Sequence, residues 1–169
     1  MDIKSQRRAL LKARHAMPDR IRQEKSVGIC QHLNSWDIFK QSKTTLAYCS
    51  FNGEPDLSTL LTQQRSWGLP RCQGKTLIWH RWYPTIQWPL SRGTYGITEP
   101  HPDSPLVEPF KVDLILVTCL ACDINGYRHR LRIRPTPSSP SRRLGCAPRW
   151  HLHRERIVLQ MTLTHPSTA

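Results

Sequence analysis

At 169 residues and 19.6 kDa the chain is one domain by length, long enough to bury a substantial core. No apolar run approaches the length of a membrane span, and the six scattered Cys read as free thiols, so the sequence fits neither a membrane protein nor a disulfide scaffold. The formal net charge of +13 points to a polyanion partner at first sight, but eight Arg, no Lys and one acid (Glu155) follow Arg128, so +7 of it falls in the last 41 residues.

In chain order, MDIKSQRRALLKARHAM is amphipathic and charged, without the apolar stretch of a secretory leader, and a cytoplasmic protein is expected. Residues 2 to 17 read as a helix, with Ile3, Leu10, Leu11 and Ala13 at partial helical spacing. Lys4, Arg8 and Lys12 recur at i, i+4 and i+8, with Arg7 and Arg14 beside them. That spacing either presents cations to a polyphosphate or forms a solvated basic face. Pro18-Asp19 breaks this helix and starts a second, residues 19 to 33, whose apolar set is Ile21, Val27, Ile29 and Leu33. TTLAYCSF, residues 44 to 51, reads as a buried strand, and NGEPD as the loop after it. Ligands of open α/β sheets gather outside the carboxyl ends of strands. Glu54, between a Gly and a Pro at such an end, is therefore either an acceptor for a substrate amino or amide group or a surface acid. Residues 58 to 67 read as a short helix ended by Gly68.

LPRCQGKTLIWHRW reads as strand, turn, strand, with Gln73-Gly74 at the turn. Trp79 and Trp82 offer faces for a flat heterocycle or for the core. They point to opposite sides of a regular strand, so at most one lines a site unless the strand bulges. Residues 89 to 110 are rich in Pro and Gly turn signals. VDLILVTCLA, residues 112 to 121, is the most apolar run and is expected as a central strand buried on both faces. Cys119 and Cys122 form a lone CxxC, better read as small hydrophobes at a strand end than as a redox pair or half a zinc site. Asp123, Asn125 and Gly126 make a turn, and Arg128 leaves it. No period persists beyond Arg128 until RIVLQMTL, residues 156 to 163, which reads as a strand. Helices alternating with apolar strands imply an α/β layer fold.

KSQRR, YCSFNGEPD, LPRCQGKTLIWHRW, GTYGITEP and VDLILVTCLACDINGYR, in this order, resemble the 5-formyltetrahydrofolate cyclo-ligase (methenyltetrahydrofolate synthetase) family. The resemblance covers residues 1–128. It implies a single Rossmann-like three-layer α/β domain, acting as a monomer on a small-molecule folate, with neither membrane nor nucleic acid as partner. It implies ATP- and Mg²⁺-dependent conversion of 5-formyltetrahydrofolate to 5,10-methenyltetrahydrofolate. The γ-phosphoryl group passes to the formyl oxygen, the neighbouring N10 attacks the activated carbon, and phosphate leaves; the protein positions the groups and neutralises charge. By this resemblance Lys4, Arg7, Arg8 and Arg128 contact ATP, and Cys49 and Glu54 line the folate site. Ring chemistry adds Trp79 or Trp82 beside the pterin. No metal ligand and no catalytic residue is assigned.

The resemblance stops inside a loop. After "GYR" the family continues with a glycine-rich run, two aromatics and Asp-Arg; here the run is HRLRIRP, without the glycines that let a backbone approach phosphate and without the acid expected to hold Mg²⁺. Val117-Thr118 also stands where the family has Val-Pro. The expected organisation is an incomplete cyclo-ligase-like domain over 1–128 and a poorly ordered basic tail over 129–169, its C-terminal part truncated or replaced. The edge of strand 112–121 is then left unpaired. Codons for His129 to Pro135 permit, read one base later, Ile-Gly-Tyr-Gly, so a frame shift near Arg128 is one explanation and a divergent tail the other. The implied activity is impaired. Two further readings are a folate-binding paralogue without turnover and a nucleic-acid binder acting through the tail, the latter without a recognisable motif.

Overall fold

The computed structural model describes residues 3–74, 76–84, 89–93, 95–122, 128–129 and 157–161. Helix α1 (Ile3–Ala16) ends where Pro18 forbids continuation, and α2 (Asp19–Ser35) starts directly after it. The face that α2 buries differs from the expected apolar set: Ser26, Cys30 and Leu33 are buried while Val27 is exposed. The cause is polar satisfaction. The Ser26 hydroxyl donates to the Arg22 carbonyl at 2.8 Å and accepts from the Asp56 N–H at 3.0 Å, so a serine takes the inward place.

Next come α3 (Asp37–Gln41), β1 (Thr44–Leu46), α4 (Ser58–Leu61), β2 (Ser66–Gln73) and β3 (Thr76–Trp82). The expected helix over 58–67 is wrong in its second half. It stops at Leu61, and Trp67 and Gly68 belong to β2. Trp67 is fully buried, and the Arg65 guanidinium lies 4.2 Å from the Phe39 ring centroid and 5.3 Å from that of Trp67. Gly68 is no helix stop. A Cβ there would fall 2.3 Å from Leu46 Cδ2, so β1 packs against β2 only because position 68 lacks a side chain. The hairpin over 69–82 forms in regular register, Pro70 opposite Trp79 and Trp67 opposite Trp82.

A small hairpin of β4 (Ser91–Arg92) and β5 (Thr98–Glu99) follows, then β6 (Leu114–Thr118), the pair β7 (Ala121–Cys122) and β8 (Arg128–His129), and β9 (Ile157–Met161). The main sheet has the order β3-β2-β1-β6-β9. Strands β1, β2, β6 and β9 run parallel, and β3 is antiparallel to β2. The α/β class is as expected. The edge of β6 is not unpaired: β9, from the C-terminal segment, lies along all five of its residues. The strand read over 156–163 is thus real, and the bare edge was a wrong expectation. The turn at Asp123, Asn125 and Gly126, and the rest of the 129–169 tail beyond His129 and β9, lie outside the described residues.

One face of the sheet carries the larger core, where Leu114, Leu116, Ala47, Trp67 and Leu69 meet Leu33, Phe39, Leu57, Leu60 and Leu61. On the other face Leu46 packs with Val107 and Val112, with Trp79 and Ile115 against them. No helix among the described residues is long and apolar enough to cross a membrane.

Candidate functional site

The chain leaves β1 for β2 on one side and later returns to build β6 on the other, so the strand order reverses at the β1–β6 pair. In sheets of this kind the splayed carboxyl ends at such a reversal leave a crevice. β1 ends early. Its pairing stops at Leu46, although Ala47 and Tyr48 stay buried and the Ala47 N–H still donates to the Gly68 carbonyl at 2.9 Å. The chain then turns through residues 50–57. Asn52 (φ 53°) and Gly53 (φ 74°) are both left-handed, and a Cβ on Gly53 would stand 3.2 Å from Arg14 Cγ, so the turn both reverses the chain and presses it against α1.

That loop is pinned. The Tyr48 hydroxyl donates to the Pro55 carbonyl at 3.1 Å, the Asp56 carboxylate accepts from the Ser58 N–H at 2.9 Å, and His15 Nε2 pairs with Asn52 Oδ1 at 2.9 Å. Between loop and helices lies an open cleft of about 550 Å³, lined by residues that include His15, Arg22, Asn52, Glu54 and Asp56.

Glu54 and Asp56 are the half-buried carboxylates of this cleft, and Glu54 Oε2 accepts from the Phe51 N–H at 3.2 Å. Burial pushes its pKa up to about 7, against the opposing pull of that N–H, of Arg14 and of Thr118. The Thr118 hydroxyl at the end of β6 is buried without a formed hydrogen bond among the described residues, and lies close enough to favour the charged forms of both Glu54 and Tyr48. Burial also drives the Tyr48 phenol upward, so it stays neutral.

A raised carboxyl pKa means that the folded state binds more protons than the unfolded one between about 4.5 and 7. Stability therefore falls as pH rises through that window. The Glu54→Gln variant is expected to lack about 1–2 kcal/mol of that fall, whatever its constant offset. Melting curves of both proteins across the window check this. Parallel pH profiles would remove Glu54 from the buried site.

The remaining sequence candidates are dispersed. Arg8 and Lys12 are exposed on α1, whereas Arg7 is half-buried, one heptad from the fully buried Arg14 on the same side of the helix. Among the described side chains the inward cations of α1 are thus Arg7 and Arg14, not Arg8 and Lys12. Arg14 stood among the basic candidates of this helix, and what sets it apart is the inward i, i+4, i+7 row Arg7, Leu11, Arg14. For Lys4 the backbone alone is described, within α1, and for Arg128 the backbone within β8. Cys49 is half-buried, packs against the larger core, and is pushed up to about 11 by burial and then by Glu99, so it remains a thiol.

Glu99 itself is buried over Gly93. It accepts from the Cys72 N–H at 3.1 Å and stands 3.5 Å from Arg71, which ties the β4–β5 hairpin to β2. β3 does not bulge. Trp79 and Trp82 pack into the cores on opposite faces of the sheet, and neither lines the Glu54 cleft. Among the described residues no three His, Cys, Asp or Glu side chains form a metal-holding group. Cys119 is buried and belongs to no disulfide among the described residues.

Residues 2–129 match the model of the 5-formyltetrahydrofolate cyclo-ligase family. The fold is similar to the NMR structure of Aquifex aeolicus 5,10-methenyltetrahydrofolate synthetase, at 30% identity and a TM-score of 0.68, over 76% of this chain and 66% of that one. The chain thus spans slightly less than two thirds of that protein's length. It is also similar to a 5,10-methenyltetrahydrofolate synthetase from Mycoplasma pneumoniae, at 17% identity and a TM-score of 0.56, over 77% of this chain and 71% of that one, a likeness of fold alone. No curated protein matches the chain.

Proposed function

Because the chain belongs to the 5-formyltetrahydrofolate cyclo-ligase family, we propose that its β1–β6 crevice binds 5-formyltetrahydrofolate, the substrate for closure to 5,10-methenyltetrahydrofolate, and that this chain closes it poorly. The observation that carries the reading is Glu54, a half-buried carboxylate at the reversal point of a parallel sheet. Its acceptor oxygens suit the adjacent amino and amide N–H groups of a pterin. Those donors favour the ionised form, so binding draws down a pKa that burial has raised. Tyr48 and the pinned 50–57 loop hold the acceptor still, which keeps the entropic cost of binding low.

The family reaction calls for ATP and Mg²⁺. When bound, ATP would supply the phosphoryl group that turns the formyl oxygen into a leaving group. Lys4, Arg7 and Arg8 on α1 and Arg128 on β8 are the cations proposed to meet its phosphates, but they are separated along two elements. The described residues do not fit a Mg²⁺ site. Asp56, the other carboxylate of the cleft, already accepts from the Ser58 N–H, the Ser58 hydroxyl and the Ser50 hydroxyl.

Amide hydrogen exchange with and without 5-formyltetrahydrofolate tests the location. Protection is expected at residues 50–57 and at the last turn of α1, by severalfold or more, with β3 unchanged. Protection centred on Trp79 and Trp82 would move the site to β3.

A further inference from the structure

The last turn of α1 holds a charge in an unusual place. Arg14 is 2% exposed, and its one hydrogen bond among the described residues runs from Nη2 to the Cys119 carbonyl at 2.5 Å. Nη1 is buried with no partner among them. A guanidinium taken out of water costs several kcal/mol unless charge and hydrogen bonds compensate it, and one carbonyl is too little. Burial lowers the Arg14 pKa, and the largest opposing attraction comes from Glu54.

The backbone of the Glu54 loop is itself packed on Arg14. Gly53, left-handed at φ 74°, brings the loop over the Arg14 methylenes, where a Cβ would stand 3.2 Å from Cγ and 3.4 Å from Cδ. His15, the next residue, bonds Asn52 at 2.9 Å. A close approach, a hydrogen bond and a charge therefore join one helical turn to residues 52–54. Through the Cys119 carbonyl the same arginine also reaches the residue that follows β6, so it joins that segment to the 52–54 loop.

We propose that Arg14 is the positioning residue of this crevice: it holds the loop that carries Glu54 against α1 and supplies the buried positive charge that keeps the carboxylate available as the acceptor for the substrate's amino and amide N–H groups. The proposal rests on the folate reading of the same site. Arg14 itself acts through Glu54. The other titratable or charged groups around the carboxylate are His15 from α1, Arg22 from α2, Tyr48 after β1, Asp56 of the same loop and Cys119 after β6. Of these Arg14 is the buried cation. Its loss disfavours the carboxylate, raises the Glu54 midpoint and moves folate binding to higher pH.

Two measurements on the full chain test this, on the wild type, Arg14→Lys and Arg14→Met. The first follows the Glu54 side-chain carboxyl carbon by NMR against pH, assigned with Glu54→Gln. The second is the binding isotherm of 5-formyltetrahydrofolate against pH. Arg14→Met is expected to raise the Glu54 midpoint by about one pH unit and to weaken binding about tenfold near neutrality, with recovery at higher pH. Arg14→Lys is expected to restore most of both. Should Arg14→Met fail to fold, Arg14→Gln is read in the same way. A lower melting temperature with an unmoved midpoint and an unmoved pH profile would show a merely structural arginine and overturn the proposal. A midpoint that moves in a chain that binds no folate would instead overturn the folate reading and, with it, the role of Arg14 in substrate binding.

Discussion

Turnover of 5-formyltetrahydrofolate with ATP and Mg²⁺ is expected at least about a thousandfold below that of a family member carrying the glycine-rich run, a loss of about 4 kcal/mol in transition-state stabilisation. Phosphoryl transfer asks little covalent chemistry of a protein. It asks for preorganised donors around the γ-phosphoryl group. A concave set of backbone N–H groups needs residues without Cβ where the chain curls on the anion, and HRLRIRP, residues 129 to 135, supplies none. Arginine side chains replace the charge but not the concave set of backbone donors. Beyond Arg128 the sole acid is Glu155, against the carboxylate that a metal–phosphate complex requires. The assay is the absorbance of methenyltetrahydrofolate formed by the purified chain, beside a variant that carries the family's glycine-rich run in place of residues 129–135. Equal rates would show that the tail is catalytically adequate as it stands.

Glu54→Gln is expected to weaken 5-formyltetrahydrofolate binding about a hundredfold and to leave ATP binding within about twofold. A charge-assisted hydrogen bond at a half-buried site is worth about 1.5–3 kcal/mol, and the amide presents one acceptor and one unwanted donor where the carboxylate presents two acceptors. ATP binding is spared because a carboxylate near the phosphates would repel them, and the exposed cation Arg8 lies nearly two turns of α1 from Arg14. Isothermal titration of each ligand into the wild type and the variant reads both effects. Equal loss of the two affinities would place Glu54 in a common structural role.

The place of Glu54, in a tight loop after a buried strand, was legible because three local signals coincide there: the end of an apolar run, a glycine that permits the turn, and a proline that fixes the exit. The hairpin over 69–82 was legible for a similar reason, Gln73-Gly74 lying between two β-rich runs, and Gly74 adopts φ 59°. Trp67 and Gly68 misled. In sequence they look like the end of a helix, yet Trp67 packs against the Phe39 ring and Leu46 covers Gly68, contacts made by residues distant along the chain. Local propensity carries no trace of such contacts. Arg14 was seen as one charge among several; that a cation rather than an aliphatic residue faces inward depends on Cys119, more than a hundred residues away in sequence. β9 was read as a strand, but its place beside β6 depends on a long-range parallel pairing that periodicity does not encode.

The central claim is that the described domain keeps a folate crevice although its sequence lacks the glycine-rich phosphate loop. The measurement that bears on it most directly is a titration of 5-formyltetrahydrofolate into the purified chain in the absence of ATP and Mg²⁺, followed by heat and by tryptophan fluorescence. The account predicts saturable binding at one site per chain, unaffected by the absence of nucleotide and lost by about a hundredfold in Glu54→Gln. An absence of saturable binding by a folded chain would contradict it.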